Sequence, residues 1–319
     1  MTNLLNVNIM AEEVMRQQES EAAAKQTPTT KFDVKNYLNT RLADNEVTKT
    51  LTIRLLPFKP EGGSPFFKVH MHQVRVNKEV SRSGWKTFPC PTKNKLGSEC
   101  PFCEVASGAR ARKGAAVTDT DKNHWAEIEY ANRPSEFWIV RCIERGHEED
   151  GVKFWLFRNS KKGDGVYDKI MNIFHQRYKK AKELGRENNI FDLNDGKDLL
   201  ITISRDTNGK TVYNITDDDE KTPLSTNYAQ ADAWIKDTKK WNEVYTVKPF
   251  EYMDIIIDGG VPVYDKEQGK YIEKAEYEKK KDNKAKQSAE IPTEDLSVAP
   301  KTSLGEEAHA PFEEEDLPF

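Results

Sequence analysis

Cys100-Pro101-Phe102-Cys103 is the sharpest chemical signal in the sequence, with Cys90 ten residues before it and His70 and His72 further back. A two-residue gap lets both thiolates face one tetrahedral ion, and Cys90 with one imidazole can complete a zinc site from an adjacent hairpin. Thioredoxin-like chemistry also uses Cys-x-x-Cys, but it needs the pair at the start of a helix that follows a thioredoxin strand. Here the pair follows a polar loop, residues 91–99, with further ligand-type residues close by. One structural Zn2+ per chain is therefore the expectation. A catalytic zinc would keep an open position and a nearby general base, and the sequence identifies neither. His70 and His72 are two apart in an expected strand and share a face, so alternation leaves both open. His72 lies nearer the hairpin that returns to Cys90. Cys142, in an apolar run, reads as a core thiol, and His124, His147, His175 and His309 as structural or surface residues.

A second set of residues suits nucleic acid. Bases and rings are interleaved as Arg82 and Trp85; Arg110, Arg112 and Lys113; Trp125 and Tyr130; Phe137, Trp138 and Arg141; then Lys153, Trp155, Phe157 and Arg158. Cations pair with phosphates, and flat rings stack bases that have no complementary strand, which is the mixture a non-specific single-stranded site needs. Ordinary core packing is the competing reading for any one ring. Phe154 and Trp155 are neighbours in a strand and face opposite sides, so one of them is expected in a core.

These side chains need elements to hold them. Residues 51–58 and 65–76 read as strands around a Gly/Pro turn, and further strands are expected at 124–130, 136–144 and 152–159. Residues 108–123 read as a helix end followed by an exposed basic loop. Val166, Ile170, Ile173, Phe174 and Tyr178 follow three-and-four spacing, which predicts a helix over 166–183. Residues 198–216 read as two strands around Asn208-Gly209, a strong hairpin signal. Short strands interrupted by one helix and closed by a hairpin fit a mainly β fold with added helices, an oligonucleotide-binding (OB) barrel with an inserted zinc subdomain at about 65–115. The OB core is expected over 31–222. Residues 231–245 have a helical pattern, 251–272 the look of a strand or two around Gly259-Gly260, and 273–290 is a charged segment with little to bury. Residues 223–280 form an extension of uncertain fold.

The chain has 319 residues, 36% hydrophobic and 32% charged, with a net charge of -4 that hides an asymmetry. Residues 290–319 hold nine carboxylates against Lys301, a net of -8, which leaves 48 basic and 44 acidic residues, +4, on 1–289. A basic body with an acidic tail points to a polyanion ligand and an attached competitor. Residues 281–319 are expected to be a disordered tail, and residues 1–30 an amphipathic arm that contacts a neighbouring protomer. No run approaches the roughly 18 apolar residues of a membrane span, and the N-terminus lacks the features of a signal peptide, so a soluble, intracellular protein with no membrane partner is expected.

The segments 65–76 (PFFKVHMHQVRV) and 153–174 (KFWLFRNSKKGDGVYDKIMNIF), with the cysteines set as FPC, SEC and PFC, together resemble the replication single-stranded DNA-binding proteins of T-even-type tailed phages. The resemblance covers roughly residues 32–215. It implies an OB barrel whose zinc is held by one histidine and three cysteines. The family histidine lies seven residues after the proline of its Pro-Phe pair, which is His72 counted from Pro65, and the cysteines match Cys90, Cys100 and Cys103. It implies a non-enzymatic protein that coats single-stranded DNA in replication, recombination and repair, in the cytoplasm of an infected bacterium, beside other copies of itself. The interval from His72 to Cys90 is longer than in the best-known members, which implies an extended hairpin. The family's basic-plus-hydroxyl arm motif is not recognisable in 1–30. The C-terminal Glu313, Glu314, Glu315, Asp316, Leu317, Pro318 and Phe319 are similar to the acidic tip of bacterial single-stranded DNA-binding proteins, which implies recruitment of replication and recombination proteins. A zinc-dependent nuclease or a protein-binding adaptor is the alternative. A nuclease would bring a carboxylate-rich cluster on ordered elements, whereas the acidic residues here are dispersed or concentrated in the tail.

Overall fold

The computed structural model describes residues 34–43, 46–57, 63–158, 163–185 and 189–289. The expected arm at 1–30 and the acidic tip from Glu313 to Phe319 lie outside the described residues.

Alternating apolar residues build the sheet. β1 (Thr48–Leu55) buries Leu51, Ile53 and Leu55 on one face, and β6 (Leu199–Arg205) buries Leu199, Ile201 and Ile203 on the same face opposite them. With β2 (Phe66–Arg75), β3 (Trp85–Pro89), β4 (Ser135–Glu144), β5 (Lys153–Arg158) and β7 (Thr211–Asp217) they form a seven-stranded antiparallel sheet. Its order is β3-β2-β4-β1-β6-β7, and β5 pairs with β4. β4 is the branch point. One of its edges pairs first with β2, over residues 135–140, and then with β1, over 142–144, while β5 takes the opposite edge over 137–142. Strands that diverge from one shared edge curl the sheet into an open half-barrel. The end strands β3 and β7 do not pair with one another among the described residues, so the expected barrel takes the form of an open half-barrel.

The sheet is covered on both faces. Phe154 and Trp155 point to opposite sides and both are fully buried, so both neighbours are core rather than one of them. Trp155 joins Leu51, Ile53, Leu55, Phe66, Val140 and Ile201 in the half-barrel interior. Three helices follow in this part of the chain, α1 (Pro101–Ala115), α2 (Asp119–Asn132) and α3 (Val166–Glu183), and α3 closes that interior. The three-and-four spacing read from the sequence is realised: Val166 and Ile170 are buried, and Asp168 accepts the Gly165 N–H at 3.2 Å to fix the helix start. On the other face, Arg141 reaches the carbonyls of Trp234 and Asp237 at 3.0 and 2.9 Å, and Tyr245 donates to the Phe154 carbonyl.

Two segments expected as strands are helical. Residues 124–130 lie inside α2, where the Thr118 hydroxyl caps the Asp121 N–H at 3.1 Å and the helix packs antiparallel on α1 through a three-residue connection. The alternation His-Trp-Ala-Glu-Ile-Glu-Tyr misleads because Trp125 and Ile128 also stand one helical turn apart. Beyond α4 (Tyr228–Lys236) and α5 (Trp241–Val244), residues 250–257 form α6 (Phe250–Ile257). Its β-branched run suggests a strand, but Tyr252, Met253 and Ile256 lie on one helical face and are buried. Gly259 and Gly260 stop it. Gly259 has φ +78°, and a Cβ on Gly260 would lie 2.9 Å from Ile255. A small hairpin follows, β8 (Pro262–Asp265) with β9 (Lys270–Glu273), and then α7 (Lys274–Ala289). The helix thus extends through residues 281–289, which were expected to belong to the disordered tail.

Candidate metal centre and nucleic-acid interface

His72 comes from β2, Cys90 from the end of the β2–β3 hairpin, and Cys100 and Cys103 from the start of α1. Cys100 is the N-cap of α1 and Cys103 its third residue, with Pro101 in the first turn where no N–H is needed. Both thiols therefore sit at the positive end of the helix, which favours thiolate. Cys90 is docked onto β2 by its N–H on the His70 carbonyl at 2.9 Å. Asn94 grips the same residue from the loop: it accepts the His70 N–H at 2.8 Å and donates to its carbonyl at 2.7 Å.

The four ligand atoms lie within 4.8 Å of one another. A tetrahedral zinc with ordinary bond lengths separates two sulfurs by about 3.8 Å and sulfur from nitrogen by about 3.6 Å. Cys90 Sγ stands 3.9 Å from Cys100 Sγ and 3.5 Å from Cys103 Sγ, and His72 Nε2 stands 3.3 and 3.7 Å from the sulfurs of Cys100 and Cys103. The donors thus fit one zinc-sized ion, and the sulfurs are much too far apart for a disulfide. His72 Nδ1 is 2.8 Å from the carbonyl of Asn132, the last residue of α2, so its N–H is spent there and Nε2 is left as the ligand nitrogen. The Lys93 N–H donates to Cys90 Sγ, and the Thr92 hydroxyl lies against both Cys90 and Cys103.

Without an ion, the set is electrostatically frustrated. Burial opposes a charge on His72, yet Cys103 and Cys90 overcome it and push the imidazole up to about 9. Cys100 and Cys103 hold the Cys90 thiol far down, while Cys103 and Cys90 drive Cys100 up. One divalent cation would let all three thiols be thiolates. His70 takes no part. It is half-buried, with Nε2 4.0 Å from Glu136, because its register partner on β4 is Glu136 whereas His72 pairs with Phe88 beside the cysteine loop.

The residues proposed for DNA separate by burial. Phe137, Trp155 and Phe157 are core side chains and have no face to offer a base. Arg141 is buried on the α4 carbonyls, and Lys153 is buried on Glu144 and Asp150 at 2.6 and 2.9 Å. A cation held that way in the interior cannot meet a phosphate, so these five leave the interface. Arg110 and Lys113 are exposed and both hold Glu129, at 2.7 and 3.3 Å, which ties α1 to α2. Arg82 and Arg158 are exposed. Trp138 is half-buried and stacks on Tyr167, centroids 4.3 Å apart and planes 8° apart.

The remaining rings stand under guanidinium groups. Arg75 covers Trp85 at 5.3 Å, Arg112 covers Trp125 at 4.7 Å, and Arg133 covers Tyr130 at 4.7 Å. Trp85 is 52% and Tyr130 64% exposed. Arg75, Arg133 and Tyr167 were not among the residues read from the sequence. Arg75 was within reach of that reading, because hairpin register sets it opposite Trp85. Tyr167 meets Trp138 only through the packing of α3 on the sheet, which no local spacing encodes.

The fold and site therefore define a mixed α/β protein with a curled open sheet and a buried His/Cys centre shaped for one metal ion. No family model matches the sequence, and no curated protein matches it as a relative. No helix among the described residues is long and apolar enough to cross a membrane.

Proposed function

We propose that this protein binds single-stranded DNA without strong sequence preference and protects it during replication, recombination and repair, as the phage family it resembles does. The observation that carries the reading is the set of three arginine-capped rings, Arg75–Trp85, Arg112–Trp125 and Arg133–Tyr130, on and beside the metal-bearing hairpin. Each pairs a flat surface for a base with a cation for its phosphate. The metal centre serves as structure in this reading. Four protein donors fill a tetrahedron and leave no position for water or substrate, which argues against a hydrolytic site. The N-terminal arm would contact neighbouring copies on the strand, and the acidic C-terminal tip would recruit partner proteins.

Titration of fluorescent oligonucleotides of mixed sequence, with duplex controls at several salt concentrations, tests the reading. Single strands should bind more tightly than duplex, with affinity falling steeply as salt rises through counterion release. Equal or tighter duplex binding throughout would reject it, and cleavage of the oligonucleotide would favour the nuclease alternative.

A further inference from the structure

We infer that residues 250–273 are the outer wall of the metal module, so that metal occupancy fixes the position of the C-terminal extension and of α7 at its end. The inference rests on the metal reading of the His72, Cys90, Cys100 and Cys103 cluster. It starts from what α6 packs against. Tyr252, Met253 and Ile256 share one cluster with Val74, Phe88 and Phe102, and with Cys90 and Cys100 themselves. Two of the four ligand residues are thus in the apolar seat of a helix about 150 residues further along the chain.

The contacts are specific in geometry. Phe102 lies 5.0 Å from His72 and stacks on Phe88 at 5.8 Å, and Phe88 meets Tyr252 edge to face at 6.0 Å. A continuous file of rings therefore runs from the metal-binding imidazole to α6. Tyr252 continues it to Tyr271 of β9 at 5.0 Å, and Lys86 of β3 donates to the Tyr252 hydroxyl. Beyond β9, Lys274 at the start of α7 is paired with Glu79 in the β2–β3 connection. From α6 to the first residue of α7, the extension holds on to the metal hairpin at successive points.

Val74 and Phe88 are fixed by the β2–β3 ladder and the later turns of α1 by Glu129 of α2, which leaves the cysteine loop and the first turn of α1 for the metal to fix. The loop from Cys90 to Cys100 is polar and is held to β2 through the Cys90 N–H and Asn94, and α1 presents mainly Phe102, Ala106 and Ala109 to the interior. A metal ion joins β2, that loop and α1 at a single point. Its loss frees the loop and the first turn of α1, and with them the surface on which Met253 and Ile256 rest. Coupling between two sites is reciprocal in free energy, so α6 must also tighten binding of the metal. The surface of Cys90 and Cys100 is closed by this packing, since both are buried.

Hydrogen exchange of the full-length protein, read by mass spectrometry with metal content measured in parallel, tests the inference. The zinc-loaded protein is compared with the same protein stripped by EDTA. Removal should speed amide exchange in α6 and β9 by about tenfold, within the usual range for coupled sites, and leave β6 and β7 nearly unchanged. Conversely, Ile256→Ala should lower zinc affinity about tenfold in equilibrium competition with a colorimetric chelator. Protein that holds zinc but keeps α6 equally protected after stripping would overturn the inference and leave the metal reading intact. Equal acceleration in α6, β6 and β7 would also overturn it, since the metal would then support the whole fold. Protein that takes up no zinc under metal-replete conditions would sink both.

Discussion

Burial divides the aromatic residues into two groups that should respond oppositely to truncation, and Trp85 with Trp155 is the cleanest contrast. Trp85 is half exposed on the end strand β3, under Arg75, whereas Trp155 is fully buried in the half-barrel. A base stacked on a ring contributes about 1–3 kcal/mol. That corresponds to a factor of about 5 to 150 in affinity at 25 °C. Because Trp85 offers only about half of its surface, the lower part of that range applies, and Trp85→Ala should weaken binding of a mixed-sequence oligonucleotide about tenfold. The fold should lose only the cation–π contact, about 0.5–1 kcal/mol. Trp155→Ala instead leaves a large cavity at about 3–5 kcal/mol, a major fraction of a total stability on the order of 5–15 kcal/mol. Anisotropy titration at two salt concentrations and urea unfolding of both variants would measure the two effects. Wild-type affinity in Trp85→Ala, or a selective affinity loss in a stably folded Trp155→Ala, would show that exposure is the wrong criterion and refute the interface drawn here.

The metal centre makes its own predictions. His72→Ala, Cys100→Ser and Cys103→Ser should each purify with little zinc, while His70→Ala should keep one per chain, as elemental analysis would show. Since metal-free His72 holds its proton up to about 9, an incoming ion must displace that proton along with thiol protons, so zinc affinity should rise with pH, more steeply below about 9 than above it, and fall on acidification. Chelator competition across pH checks the sign. Asp198→Asn should cost about 3–5 kcal/mol in urea unfolding, because Asp198 accepts from Arg54 at 3.0 Å and Arg145 at 2.9 and 3.0 Å, and the fully buried Arg54 would lose its carboxylate. Deleting residues 290–319, with their net charge of -8, should tighten DNA binding, most at low salt, as the same titration would show.

The ligand set was legible because thiolate chemistry restricts spacing so strongly that Cys90, Cys100 and Cys103 announce themselves. The choice of His72 over His70 was not legible from strand alternation, since both lie on one strand face, and it was reached through the family spacing from Pro65 and nearness to the returning hairpin. It depends on which register position faces the cysteine loop, and that is a tertiary fact. The helix over Val166–Glu183 was legible for its amphipathic period, and the hairpin at Asn208-Gly209 for its turn chemistry. α2 and α6 were not. Each has a stretch of strand-like texture, and capping together with packing on a neighbouring helix or on the metal hairpin overrides it. Arg141 and Lys153 show the same limit for function. A basic residue in an aromatic strand reads as a phosphate contact until a carbonyl or carboxylate partner is found in the interior.

The arginine-capped rings raise a question of energy, because a guanidinium that covers a ring occupies the face a base would need. At exposed sites such a contact is worth about 0.5–1 kcal/mol. A stacked base returns about 1–3 kcal/mol. On the proposed reading a base would therefore win, and the displaced cation, still tethered beside the ring, would trade a quadrupole for a charge-assisted contact with a backbone phosphate. Three such exchanges, at Trp85, Trp125 and Tyr130, would combine stacking with phosphate neutralisation. Stacking alone would be indifferent to salt, whereas this coupling gives each ring its own share of the salt dependence. Arg112→Gln should accordingly bare Trp125, leave stacking in place, and flatten the salt slope by about one unit without altering sequence preference. An unchanged slope would mean that Arg112 serves only to shield its ring.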